Sequence, residues 1–195
     1  MIKKIILFLL LLTSVGFTTL AQDTLEYEIV TKLFKVGDID IIKENIPQTD
    51  SIHYKLETSI TVWFYNIYYL MESVYFHDTL FNSFSYITVN GKINHYCKVQ
   101  KQKSEYIIKN LEKTKHLKVK AVTSSITPLY FTMYSGPDSV FTEYTGRFRP
   151  FEKKNDTTFV LDPVKDPMKF IFSNNKIFKV ITPNTFLDFY IQRKE

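Results

Sequence analysis

From residue 22 onward the chain alternates apolar and polar positions with a period of two. Leu25, Tyr27 and Ile29 alternate with Thr24, Glu26 and Glu28. Tyr54, Leu56, Thr58, Ile60 and Val62 alternate with Lys55, Glu57, Ser59 and Thr61, and Ile93, His95, Cys97 and Val99 with Asn94, Tyr96, Lys98 and Gln100. Such alternation turns one set of side chains to a buried face and the other to water. The pattern predicts strands near residues 24–34, 39–46, 52–64, 67–77, 80–89, 92–100, 104–110 and 115–122, and a second set near 139–144, 147–154, 157–162, 168–173, 176–182 and 185–193. Asn90-Gly91 is the strongest hairpin signal, because both residues tolerate the positive φ of a tight turn. Gly37-Asp38, Asn174-Asn175 and Gly146 are weaker turn signals. Between the two sets, Ser124 to Phe131 can form one helical turn, with serine at its start and Pro128 in its first turn. The expected fold is all-β: an antiparallel meander curled into a β roll or half-open barrel, with at most one short helix.

The first residues break this pattern. Lys3 and Lys4 precede an unbroken apolar run from Ile5 to Leu12, and Thr19 and Ala21 then sit one position apart. Positive leader, apolar core and small-x-small order make a secretory signal. The run is much shorter than the roughly 20 apolar residues of a spanning helix. The expected organisation is a signal peptide over residues 1–21 and a single β domain over 22–195, exported to the periplasm or secreted, with no transmembrane span after cleavage. Lys and Glu recur inside many of the predicted strands, which argues against the lipid-facing band of a membrane barrel.

Composition narrows the function. The chain is 45% hydrophobic, with 17 Phe and 13 Tyr, so it can bury a core without cross-links. Cys97 is its single cysteine, which excludes an intrachain disulfide. The net charge of +5 falls by two once Lys3 and Lys4 leave, too mild a surplus to indicate a nucleic-acid partner. The five glycines are dispersed, so no loop can cradle a phosphate, and no serine is flanked by glycines as a nucleophile elbow requires. Neither a His-Glu-x-x-His zinc motif nor a catalytic set is present, so no catalytic residue, metal or cofactor is assigned, and an enzyme is the less favoured class.

Several segments together resemble a secreted bacterial family of unknown function. They are Leu25-Glu26-Tyr27-Glu28-Ile29 after the signal, His53 to Ser59, Tyr75, Val89-Asn90-Gly91-Lys92, Ser125 to Phe131, and the closing Leu187 to Lys194. The resemblance implies a Gram-negative envelope protein with a curved antiparallel sheet. It brings no activity and no catalytic residues.

Smaller constellations have simple structural readings. His95 and Cys97 share a strand face, where a nucleophile or half a metal site competes with a packed histidine beside a buried cysteine. Asp38 and Asp40 share a face as an acid/base pair would, but their place beside Gly37 suits a solvated hairpin tip better. His53, His77 and His116 show no ligand spacing. Eight lysines between Lys98 and Lys120 face only Glu105 and Glu112, which reads as a sheet edge kept soluble, or as a contact for anionic headgroups. Asp23-Thr24, Asp50-Ser51, Asp78-Thr79, Asp138-Ser139 and Asp156-Thr157, each followed by an apolar residue or threonine, resemble O-glycosylation sites of some envelope bacteria, although turn chemistry accounts for them better.

Aromatic crowding supplies the candidate ligand site. Phe64, Tyr68, Leu70, Phe84 and Tyr86 fall on adjoining strands, and Phe131 lies on the turn that could close over them. Together they are expected to line one apolar cavity for a lipid or other apolar ligand. The alternative is an assembly protein that packs its sheet against another envelope protein. A deep apolar cavity favours the first reading, and a flat exposed apolar face the second.

Overall fold

The computed structural model describes residues 22–165, 167–182 and 189–194. The expected signal peptide and the start of the closing segment, Leu187-Asp188, lie outside the described residues. The strands are β1 (Gln22–Val30), β2 (Lys35–Ile46), β3 (Ser51–Val62), β4 (Tyr65–Phe76), β5 (Thr79–Val89), β6 (Lys92–Gln102), β7 (Glu105–Asn110) and β8 (Thr114–Leu117). A short helix α1 (Ile126–Leu129) is followed by β9 (Ser139–Thr142), β10 (Arg147–Asn155), β11 (Thr158–Leu161), β12 (Met168–Ser173), β13 (Lys176–Thr182) and β14 (Phe189–Arg193).

All fourteen strands form one unclosed sheet in the order β8-β7-β6-β5-β4-β3-β2-β1-β14-β13-β12-β11-β10-β9. Two meanders are thus joined through β1 and β14, with Tyr27 opposite Arg193 and Val30 opposite Tyr190. The expected roll is observed as this curled, barrel-like sheet. β8, with exposed Lys115 and its lysine-rich surroundings, is a free edge, as the charge pattern predicts. The other edge strand, β9, is partly covered by a parallel bridge between Ser125 and Phe141.

The first turn falls elsewhere than Gly37. Thr31, not Gly37, closes the β1–β2 connection: its hydroxyl donates to Phe34 O at 3.0 Å and accepts from Phe34 N–H at 3.1 Å. Gly37 lies inside β2, where a Cβ would stand 2.5 Å from Ser59 O. Its glycine marks close backbone approach rather than a turn. Asn90-Gly91 does form the β5–β6 turn, at φ 49° and 77°.

Alternation sends Leu25, Tyr27 and Ile29, Ile39 and Ile41, Tyr54 and Leu56, Met71 and Tyr75 to one face, where all are buried. The space they enclose is filled by the chain itself. Between β8 and β9 the segment 118–138 enters the curl and buries Val122, Leu129, Tyr130, Phe131 and Tyr134. Tyr130 packs on Tyr27 of β1 (ring centroids 5.4 Å), Phe131 on Tyr54 of β3 (5.7 Å), and Tyr134 on Phe151 of β10 (4.9 Å). This plug therefore bonds both meanders together. Tyr106 anchors its entry by donating to Leu80 O at 2.8 Å and accepting from Val122 N–H at 3.0 Å.

Candidate binding surface

The plug is locked by a buried acid. Glu143, 1% exposed, lies just after β9. Its carboxyl oxygens accept from Tyr75 O–H at 3.1 Å, Thr127 N–H at 3.2 Å and Ile126 N–H at 3.3 Å. Ser125 starts α1 but makes no side-chain cap bond, so Glu143 satisfies the first helical N–H groups from across the fold. Tyr75 also bonds the Ser125 hydroxyl. Burial, then the Glu143 charge, pushes the Tyr75 hydroxyl well above the usual tyrosine range. Every group in this set serves its neighbour, and the arrangement is a structural clamp. Its sequence signal is faint, a single acid after Val140-Phe141-Thr142.

The residues expected to line a cavity do not converge. Tyr68 and Tyr86 meet at 5.7 Å and Phe84 and Tyr86 at 5.4 Å, and Leu70 is the register partner of Tyr86. These four form a half-exposed ladder on the outer face of β4 and β5, because the inward positions belong to Met71, Ser73 and Tyr75 and to Ser83 and Ser85. Phe131 is buried on the opposite face, inside the curl. Phe64 is 90% exposed at the β3–β4 turn. A single-strand periodicity slip of one residue explains the error: in β4 the residues at even positions 68 and 70 face outward. Among the described residues, hollows include a plug-side one of about 200 Å³, beside Pro128, Met133 and Tyr134, and a shallow one of about 570 Å³ near Glu26, Lys176 and Arg193. Neither is lined by the expected residues.

The smaller constellations resolve simply. Cys97 is buried, and burial lifts its thiol to about 11, so it is no ready nucleophile. His95 stacks on Tyr144 (3.8 Å) with its Nε2 2.7 Å from Tyr144 O. Asp38 lies within β2 rather than at a tip and is held by Lys35 (2.7 Å) and Lys194 (2.9 Å), which keep its carboxyl below the usual range. Among the described residues no group of His, Cys, Asp and Glu is arranged to hold a metal ion.

A different surface emerges from the parity of the strands. Every neighbouring pair is antiparallel, so each connection from an odd- to an even-numbered strand leaves the curled sheet at the same end. That end carries Leu33 and Phe34 after β1, Trp63, Phe64 and Tyr65 between β3 and β4, Ile93 at the start of β6, and Leu111 after β7. It also carries Tyr144 and Phe148 around the β9–β10 turn and Val164 after β11, all exposed. Ile46, Phe76 and Phe81 are the exposed large apolar residues at the other end among those described. There the turns are polar: Gln48-Thr49-Asp50, His77-Asp78, Lys103-Ser104, Asp156-Thr157 and Asn174-Asn175. The five Asp-Ser/Thr sequences all fall at this polar end too.

The apolar tips are fixed rather than loose. Thr31 ties Leu33-Phe34, and Asn90 bonds the chain just after Trp63-Phe64. Asn110 accepts from Lys113 N–H at 3.1 Å beneath Leu111, and Arg149 forks onto Asp162 at 2.6 and 3.0 Å beneath Val164. Trp63 itself holds φ 52°, a region that costs a bulky L-residue roughly 1–2 kcal/mol. Four polar anchors and one strained tryptophan present apolar groups to water, which no core-packing need explains. The predicted strands over 24–34 and 52–64 run through Leu33-Phe34 and Trp63-Phe64, which the structure places in turns after Val30 and Val62, so of these only Leu111 stood in a predicted connection.

An antiparallel sheet curled around its own plug, with an apolar and a polar end, defines a barrel-like all-β domain. The chain belongs to the family described as Domain of unknown function (DUF6134), whose model matches residues 27–193. Its fold is similar to the crystal structure of a beta-barrel-like protein of Domain of Unknown Function DUF1849 from Brucella abortus, at TM-score 0.52 and 7% identity, covering 88% of this chain and 95% of that one. That likeness extends to the fold alone. No curated protein matches the chain.

Proposed function

We propose that this protein is a non-enzymatic lipid-binding protein of the envelope that takes up its ligand at the apolar end of the curled sheet. The observation that supports it is the collection of exposed Trp, Phe, Leu and Ile residues on the anchored turns of that one end. The plug fills the interior, which disfavours a carrier with an internal cavity. Aromatic side chains bury about 150–250 Å² each. At roughly 25 cal/mol per Å², each of Trp63 and Phe64 would contribute on the order of 4 kcal/mol before ordering costs. The test is binding of a fluorescent fatty acid by the chain from Gln22. Phe64→Ser should weaken it at least tenfold, while Phe84→Ser on the outer ladder leaves it unchanged. Loss of binding with Phe84→Ser but not with Phe64→Ser would overturn this reading.

The outer ladder of Tyr68, Leu70, Phe84 and Tyr86 supports a second reading, an assembly protein that covers this half-exposed strip with another envelope protein. Cross-linking at Tyr86 to a single envelope partner would favour it.

A further inference from the structure

The apolar end carries a collar of cations as well as apolar tips. Lys92 follows the Asn90-Gly91 turn, Lys113 follows Leu111, Arg147 opens β10 beside Phe148, and Lys165 follows Val164, and all four are exposed. Among the described acids at this end, Asp162 is engaged by Arg149 and Asp38 by Lys35, and Glu112 is exposed at the tips. The opposite end carries both signs, with exposed Asp50, Asp78 and Asp156 beside exposed Lys103, Lys118, Lys153 and Lys154. The domain is therefore polarised along the strand direction in hydropathy, and at the apolar end the cations stand among the apolar tips.

We infer that the apolar end docks onto an anionic lipid bilayer, with Trp63 and Phe64 inserted at the headgroup boundary and Lys92, Lys113, Arg147 and Lys165 against the headgroups. The inference rests on the lipid-binding reading and names the lipid source. The chemistry of each part fits. Tryptophan and tyrosine suit the interface, where one part of the ring is apolar and the other wet. A single apolar anchor binds a membrane only marginally, and a second, cationic signal is what makes such binding stable. Turns rather than a helix present the anchor here; among the described residues no helix is long and apolar enough to cross a membrane. Docked in this way, the domain directs its polar end, with Gln22 and Lys194, away from the bilayer.

Trp63 is the only tryptophan of the chain, so its emission reports insertion directly. The chain from Gln22 is mixed with vesicles of phosphatidylcholine alone or with added phosphatidylglycerol, then sedimented, and its emission recorded. Vesicles with phosphatidylglycerol should carry the protein down and shift Trp63 emission to the blue, and added salt should reverse both. Neutralising a lysine near a membrane costs about fivefold in affinity, so Lys92→Gln with Lys113→Gln should weaken sedimentation roughly twenty-five-fold. Phe64→Ser should abolish the shift, with circular dichroism unchanged because Phe64 is 90% exposed. Equal, salt-insensitive binding to phosphatidylcholine would overturn the anionic bilayer and leave lipid binding standing. So would fatty-acid binding without vesicle binding. Absence of binding to vesicles and to the fatty-acid probe alike would remove both.

Discussion

Asn66 and Asn90 hold each other across two neighbouring turns. Asn90 N–H donates to Asn66 O and Asn66 N–H donates to Asn90 Oδ1, both at 2.8 Å. The β5–β6 turn thereby braces the Trp63-Phe64 turn, although the two residues stand in different hairpins. Asn90→Ala removes the side-chain acceptor and puts a Cβ-bearing, non-Asx residue at φ 49°. It should cost about 1–2 kcal/mol in urea denaturation, whereas Asn90→Gly, which relieves the φ penalty, should cost less. Equal losses would mean that the bond to Asn66 carries the whole effect.

The clamp at Glu143 predicts a larger loss. Glu143→Leu leaves the Ile126 and Thr127 N–H groups without their acceptor, at about 1–3 kcal/mol for each unsatisfied group, and leaves Tyr75 O–H with the Ser125 hydroxyl as its remaining partner. Because Tyr75 and Glu143 share one network, Tyr75→Phe and Glu143→Leu should be non-additive by about 0.5–3 kcal/mol in a double-mutant cycle. Additive losses would show that the clamp does not act as a unit.

Two glycines with positive φ should respond differently to the same change. At Gly91, φ 77°, an added Cβ meets nothing within 4 Å, so Gly91→Ala should cost only the backbone penalty, about 1 kcal/mol. At Gly146, φ 62°, the Cβ would stand 2.5 Å from Ile108 Cγ2 and 3.3 Å from Cys97 Sγ. Gly146→Ala should therefore lower the midpoint of thermal unfolding markedly more than Gly91→Ala. Similar midpoints would refute close packing of the β9–β10 turn on β6 and β7.

Alkali should unfold the domain cooperatively. Burial raises Cys97 to about 11 from 9.0 and Tyr54 to about 12 from 10.0, and raises Tyr75 and Tyr130 too. Folded values above unfolded ones mean that this stability is complete below pH 9 and is lost as pH rises through the folded values. Tyrosinate absorbance should then appear in one step with loss of circular dichroism, and a thiol reagent should label Cys97 only in that same step. Smooth tyrosinate formation in a folded protein would contradict the burial. Asp38 works in the opposite sense: its depressed carboxyl contributes above 3.8, and that contribution is lost as pH falls through the lower folded value.

Strand existence was legible because the alternation is regular where one face is wet: the spans predicted over 168–173 and 176–182 coincide with β12 and β13. Asn90-Gly91 was legible because its turn type selects its residues. Gly37 misled, since a glycine serves close approach as readily as a turn, and only the Ser59 carbonyl distinguishes the two. The pairing of β1 with β14 was not legible, because nothing local in Tyr27 or Arg193 marks a partner so remote in sequence. The candidate site failed for a related reason. Alternation separates two faces without saying which is inner, so Tyr68 and Phe84 were assigned inward, while a plug drawn from between the two meanders had already claimed the inside.

The seam between β1 and β14 also sets a folding clock. Tyr27 O–H closes a 2.7 Å bond to Ile177 O, 150 residues away, and Lys194 N–H reaches Glu26 O at 2.9 Å. A chain that emerges N-terminus first meets β2 almost at once, but the other flank of β1 stays open until β14 arrives. Loop closure of that length is slow and must precede the contacts that reward it. Until then β1 keeps one flank unpaired, an edge able to template a second chain. A folding helper would therefore be needed most in that interval, and a chain truncated before β14 should aggregate rather than fold to a smaller barrel.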